Sequence, residues 1–259
     1  MRISLGIAIA AAAVLGAAAT SAAAAPEKPT IVLVHGAFAD SSSWNGVIAD
    51  LQRDGYTVVA AANPLRGIAS DATYVASVVK SVHGPVVLVG HSYGGAVISQ
   101  AGAAPGNVKA LVYVDAFTLD VGESAGELGA KFPAIPLGAA LTSAPLPDGG
   151  QDLYVRPDQF GVVFAPDVPP AAVKLAAAEQ RPLVASALGE KPTAAAWKTI
   201  PSWFVYGSAD QAINTAELAF MAERAHSRKT VVVPGGSHVT LISHPHEVAA
   251  LIEDAAGAP

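Results

Sequence analysis

Ser92 stands between two glycines, in Gly90-His91-Ser92-Tyr93-Gly94, directly after the β-branched run Val86–Val89. A small-residue stretch, 94–104, follows it and reads as a helix. A strand that breaks at such a serine and turns at once into a helix holds the hydroxyl proud of a sheet edge. The backbone there is strained, and side chains two residues to either side would collide, so glycine is needed at both places. The chemistry this suits is acyl transfer. It requires a base for the serine proton, an acid to hold the base, and donors for the oxyanion. A second Gly-x-Ser-x-Gly match surrounds Ser124, at Gly122–Gly126. Thr118-Leu119-Asp120 separates it from the strand-like 111–117, so Ser124 reads as a loop serine near a helix start.

The remaining parts lie farther along the chain. His238 follows the β-like run 229–233 through the turn Pro234-Gly235-Gly236-Ser237, which makes it the expected base. Asp210, in Gly207-Ser208-Ala209-Asp210, is the preferred acid because its turn would face the histidine loop. Asp115, in Val114-Asp115-Ala116-Phe117, is the alternative; its other reading is a buried, hydrogen-bonded carboxylate beneath the serine turn. Two backbone N–H groups are expected to meet the oxyanion. One is that of Tyr93, next to the nucleophile at a helix N-terminus. The other is that of Ala37 in His35-Gly36-Ala37-Phe38, with Phe38 as second choice. His35 and His91 stand beside glycines at strand ends and read as braces for these loops. His244 and His246 read as helix-start or surface residues, and no fourth ligand completes a metal site with His238. The chemistry needs no metal and no organic cofactor.

Positioning these residues calls for a particular scaffold. Short β-branched runs at 30–34, 57–62, 86–89, 111–117, 202–206 and 229–233 alternate with helical stretches. The helices are expected near 43–53, 70–82, 94–104, 171–179 and 215–225, and from about Pro245 onward. The first should be capped by its serine cluster and the second by Ser70. Such alternation predicts an α/β fold with parallel strands joined by crossover helices. Active-site groups then gather at the carboxyl edge of the sheet. The rhythm lapses over about 118–198, a Pro-, Gly- and Asp-rich stretch with one convincing helix, which reads as a lid. An apolar substrate pocket is expected from Phe38, Trp44, Phe117 and Leu183, with Phe132, Phe160 and Phe164 as further aromatic candidates.

Bulk composition narrows the partners. A formal net charge of −6 with no basic run argues against nucleic acid and anionic membranes. There is no cysteine, so neither disulfides nor a lipidated cysteine anchor are available. Arg2, the apolar stretch from Ile3 to Ala19 and the small residues up to Ala25 read as an export signal, 1–25, cleaved between about Ala22 and Ala25. An uncleaved anchor is the other reading of that stretch. The mature chain, 26–259, is then one domain in a secreted or periplasmic setting, without stable membrane association and with a small-molecule ester as its partner.

With these residues assembled, the chain resembles the α/β-hydrolase superfamily, in particular bacterial esterase relatives of the plant methylesterase and hydroxynitrile lyase group. The resemblance rests on His35-Gly36-Ala37 with Trp44 downstream, Gly90–Gly95, and Val112-Tyr113-Val114-Asp115-Ala116-Phe117. Arg181-Pro182, Gly207-x-x-Asp210 and Ser237-His238 also match. It implies a mostly parallel six-stranded sheet flanked by helices, with the lid inserted after the strand ending near Phe117. It also implies a serine esterase rather than a lyase. Family lyases carry a threonine and a lysine where this chain has Gly36 and Val239. Carbon–carbon bond hydrolysis, cofactor-free perhydrolysis, lipase action and low-turnover ligand binding are the other activities open to the same fold.

Overall fold

The computed structural model describes residues 28–259, so the expected export signal lies outside the described residues. The chain runs β1 (Thr30–Val34), α1 (Asn45–Arg53), β2 (Val58–Ala61), α2 (Ile68–Lys80), β3 (Val86–His91), α3 (Tyr93–Ala101) and β4 (Val108–Val114). The inserted segment holds α4 (Ala125–Gly129), α5 (Leu137–Ala140), β5 (Leu141–Pro145), β6 (Gln151–Val155), α6 (Pro157–Gln159), α7 (Pro170–Glu179) and β7 (Leu183–Val184). The core then resumes with β8 (Ser202–Gly207), α8 (Thr215–Arg224), β9 (Lys229–Val233), α9 (Thr240–Ser243) and α10 (Pro245–Gly257).

Six strands form one sheet in the order β2-β1-β3-β4-β8-β9, with every neighbouring pair parallel. β3 is buried along its whole length, which is why it reads as an unbroken apolar run. α10 packs on β3, β4 and β8 and against α1, while α2 packs on α3. The chain starts at β1, moves out to β2 and crosses back to β3, so the loops after β1 and β3 diverge at a topological switch point. Register puts the strand ends level: Val34 pairs with Gly90, His91 with Val114, and Gly207 with Val233. The segments that follow, carrying Ala37, Ser92, Asp115, Asp210 and His238, therefore all leave the same edge.

Several local expectations are corrected. β4 ends at Val114 rather than Phe117, because Asp115 takes a left-handed φ of 47° and turns the chain. The serines before α1 form a 3-10 turn, Ser41–Trp44, and the cap is Asp40, whose carboxylate accepts from the Ser42 N–H. α2 starts at Ile68, two residues ahead of Ser70. A distant carboxylate caps it: Glu190 accepts from the N–H groups of Ile68 at 2.7 Å and Ala69 at 2.9 Å. The lid is also richer than a single helix. It carries a three-stranded antiparallel sheet, β5-β6-β7, whose first hairpin turns at Asp148-Gly149.

The lid is stitched to the core by polar contacts. Arg66 donates to Asp152 at 2.7 Å and to the Pro182 carbonyl at 2.8 Å. The Val184 N–H donates to Leu65 O at 3.1 Å, and the Phe38 N–H to Arg181 O at 3.0 Å. Among the described residues no helix is long and apolar enough to cross a membrane.

Candidate active site

Ser92 sits at φ 53°, ψ −124°, a conformation that L residues adopt only when the surroundings enforce it. The enforcement is visible on both sides. A Cβ on Gly90 would stand 2.6 Å from Gly94 O, and one on Gly94 would stand 2.5 Å from Val34 O. The turn is that tight because α3 must start directly under β1.

His238 bridges the serine and a carboxylate. Its Nε2 lies 2.8 Å from Ser92 Oγ and its Nδ1 lies 2.8 Å from Asp210 Oδ2. With Nδ1–H donating to the carboxylate, Nε2 is left to accept the serine proton. Asp210 is fixed in turn, since its Oδ1 accepts from the N–H groups of Ala212 at 2.7 Å and Ile213 at 2.9 Å. All three side chains are buried. Burial alone would push the imidazole pKa down. The Asp210 charge and hydrogen bond, with Asp115 beyond, outweigh it and hold His238 above its ordinary 6.5.

Asp115 does not reach the imidazole. Its Oδ1 accepts from the Gly207 N–H at 2.8 Å, and its Oδ2 from the Thr240 N–H and hydroxyl at 3.0 and 2.6 Å. Burial, and then the neighbouring Asp210 charge, push its carboxyl up to about 7. Of the two candidate acids, the geometry brings Asp210 to the histidine and leaves Asp115 beneath it.

The other histidines act as braces. His91 Nε2–H donates to the His238 carbonyl at 2.9 Å, and its Nδ1 accepts from the Gly36 N–H at 3.3 Å. Burial keeps this ring neutral. His35 accepts from the Asn63 N–H at 3.1 Å and donates to Gly36 O at 2.9 Å. His246 pairs with Asp50, and His244 bonds Ser243. Among the described residues no cluster of histidines and carboxylates is arranged for a metal ion. Ser124 caps α4 in a reciprocal capping box with Glu127, away from the triad.

Ala37 and Tyr93 both line the cavity at Ser92, and neither backbone N–H donates to an acceptor among the described residues. The Phe38 N–H, the second choice beside Ala37, is occupied by the Arg181 carbonyl. The cavity encloses about 360 Å³. Phe38, Phe117 and Leu183 line it as expected, and Phe164 closes one side edge-on to the His238 ring, 5.1 Å away. Trp44 does not line it. Its indole is fully buried under His91, 6.3 Å ring to ring, because the 3-10 turn before α1 points it into the core. Phe132 packs instead on Phe220, and Phe160 lines a second cavity of about 320 Å³ behind Phe38 and Phe164.

Sequence reasoning missed much of the far wall: Leu137, Leu141, Ile213 and Glu217. One signal was present for Glu217. It lies four residues before the buried Met221, so the helical period puts it on the buried face of α8.

Comparison with known proteins agrees with this architecture. The family model described as the Alpha/beta hydrolase family matches residues 31–251. A curated relative, the alpha/beta hydrolase nvfD of Aspergillus novofumigatus, is 27% identical over 253 residues, covering 89% of this chain and 97% of its own. The crystal structure of polyneuridine aldehyde esterase is similar with a TM-score of 0.76 at 19% identity, covering 88% of this chain and 99% of that one. A pyrethroid hydrolase from Sphingobium faniae JZ-2 is similar with a TM-score of 0.70 at 24% identity, covering 89% and 98%. At those identities the two solved structures bear on the fold.

Proposed function

The chain belongs to the Alpha/beta hydrolase family, and on that premise we propose that it is a serine carboxylesterase cleaving small to medium apolar esters through an acyl-enzyme on Ser92. The observation that carries the reading is the chain of short contacts from Ser92 Oγ through both nitrogens of His238 to Asp210, opening on a mainly apolar cavity. Ser92 Oγ attacks the ester carbonyl carbon as His238 Nε2 takes its proton. Asp210 holds the imidazole and stabilises its charged form. The tetrahedral oxyanion rests on the N–H groups of Ala37 and Tyr93. Collapse breaks the bond to the leaving oxygen, which takes the proton from His238. A water, deprotonated by the same nitrogen, then attacks the acyl carbon. It releases the carboxylic acid and returns the proton to Ser92.

Position 36 supports hydrolysis over cyanohydrin cleavage. A Cβ on Gly36 would stand 2.6 Å from the Ser92 Cβ and 2.8 Å from His91 O, so a threonine has no room there. Val239, after the histidine, is buried and offers no charge.

A panel of nitrophenyl and methyl esters of graded chain length tests the reading. Wild type should hydrolyse a subset, and Ser92→Ala should lose that activity. A wild type inert on the whole panel, or a Ser92→Ala protein at full activity, would sink it. The proposal includes export: residues 1–25 are removed and the mature chain acts outside the cytoplasm. Mass spectrometry of the N-terminus after expression with the full sequence checks this, and an intact N-terminus in the cell would contradict it.

A further inference from the structure

The cavity at Ser92 is mainly apolar; beyond the triad wall its polar lining includes Asn214 and, on α8, the single carboxyl of Glu217. Glu217 borders it there beside Ala212, Ile213 and Asn214, with only 3% of its surface exposed. Its Oε2 and Oε1 lie 3.7 and 4.0 Å from where a Cβ on Gly129 would stand, so α4 presents bare backbone to the carboxyl. Oε1 is fully buried and has no hydrogen-bond partner among the described residues.

No neighbouring donor among the described residues bonds this carboxyl. Arg224, on the same helix, turns its terminal nitrogens to Glu123 at 3.2 and 2.9 Å and to the Thr118 carbonyl at 2.7 Å. Its Nε and the Thr118 hydroxyl are buried without a partner among the described residues and make no hydrogen bond to Glu217. Asn214 caps α8 through the Ala216 N–H and donates to Pro133 O. The Tyr93 hydroxyl donates to Asp71 at 2.9 Å. Ser92 and His238 hold each other. A buried carboxyl group without a donor is unfavourable, so its retention at a cavity wall marks a place where a bound molecule supplies the partner.

Burial, with the charges of Glu123 and Asp210, pushes the Glu217 carboxyl up to about 7. Near neutrality both protonation states are therefore populated. A hydroxyl suits both, because it donates to the carboxylate and accepts from the carboxylic acid. An ammonium group suits only the carboxylate and would itself be desolvated among apolar walls.

We propose that Glu217 is a specificity-determining residue that hydrogen-bonds a hydroxyl on the arm of the ester filling this cavity, so that hydroxyl-bearing esters are the preferred substrate class. The inference rests on the esterase reading of Ser92.

Straight-chain nitrophenyl esters of graded length, each with and without a terminal hydroxyl on the acyl chain, provide the test. A matching acetate series carries the hydroxyl on the alcohol chain. At one length, wild type should favour the hydroxylated ester over its plain counterpart by about tenfold or more in kcat/KM, mainly through KM. Glu217→Leu should lower kcat/KM for that ester about 10- to 100-fold and spare the plain one. Glu217→Gln, which keeps shape and hydrogen bonding, should retain most of the preference. Absence of any preference in an active wild type overturns the proposal. So does an equal loss on both series in Glu217→Leu, or a stronger preference for a terminal ammonium. Calorimetric binding of ketone analogues, with CH₂ in place of the ester oxygen, separates the two readings. If no ester turns over but the hydroxy ketone binds wild type more tightly than Glu217→Leu, the esterase reading fails and the role of Glu217 stands. Equal binding removes that role.

Discussion

Asp115 holds Thr240 by two hydrogen bonds to a single oxygen, from its N–H at 3.0 Å and its hydroxyl at 2.6 Å. Thr240 follows His238 by two residues. The other Asp115 oxygen takes the N–H of Gly207, three residues before Asp210. One carboxyl group thereby pins the loops that carry the proposed base and its acid, and it touches no reacting atom.

The two aspartates should separate on substitution. Asp210→Asn leaves His238 without its anionic partner, and kcat should fall by about 10³- to 10⁴-fold with little change in fold. Asp115→Asn should keep most of the turnover and lose about 1–3 kcal/mol of stability through unmatched buried groups. Steady-state kinetics beside urea unfolding checks both. A larger kcat loss for Asp115→Asn would reverse the assignment of the acid.

The pH profile should report His238. The imidazole must be neutral to take the serine proton, and Asp210 holds its pKa above 6.5. The acid limb of kcat/KM should therefore fall as pH drops through a value above 6.5. In Asp210→Asn burial dominates, so the limb should move to lower pH while the plateau drops. An unmoved limb would mean that another group controls it.

Stability should depend on Glu217 in a defined direction. Its carboxyl rises from 4.5 in the unfolded chain to about 7 in the fold. The folded state therefore binds the extra proton, and this contribution is complete below 4.5 and lost as pH rises toward 7. Relative to wild type, Glu217→Gln should gain about 1–3 kcal/mol between acid and mildly alkaline pH. Urea midpoints at the two pH values measure it. A constant difference would place the folded carboxyl near its ordinary value.

Arg66 should matter more to the lid than to the core. Its guanidinium is partly exposed, so the pair with Asp152 contributes only about 0.2–1 kcal/mol globally. Arg66→Ala should leave the unfolding midpoint nearly unchanged and accelerate proteolytic nicking within 118–198. Mapping early fragments by mass tests this, and an unaltered cleavage pattern would show that other contacts hold the lid.

The sheet was legible in the sequence because its central strands are largely buried and all six, the exposed edge strand β9 included, are β-branched or apolar runs set between helices. Strand ends were not, as β4 shows. No glycine or proline separates Val112-Tyr113-Val114 from Asp115-Ala116-Phe117, and the bonds from Gly207 and Thr240 to Asp115 show what holds the turn there. The turn at Ser92 could be read locally, since glycine spacing records close backbone approaches. The far cavity wall could not, because it is assembled from lid and core residues remote in sequence. Trp44 shows the converse: its type suits a pocket, but a 3-10 turn settles which way it faces. The helical period puts Glu217 on the buried face of α8, but that α4 lies over its carboxyl is a tertiary contact that the sequence does not record.

Phe38 sits at φ 60° while its N–H is held by the Arg181 carbonyl. Arg181 thus latches the loop that carries the Ala37 N–H, and Leu183, two residues on, lines the cavity wall. One lid segment thereby supplies part of the cavity wall and also braces the loop beside the proposed oxyanion donor, so the shape of the pocket and the placement of that donor are tied together through a single backbone hydrogen bond.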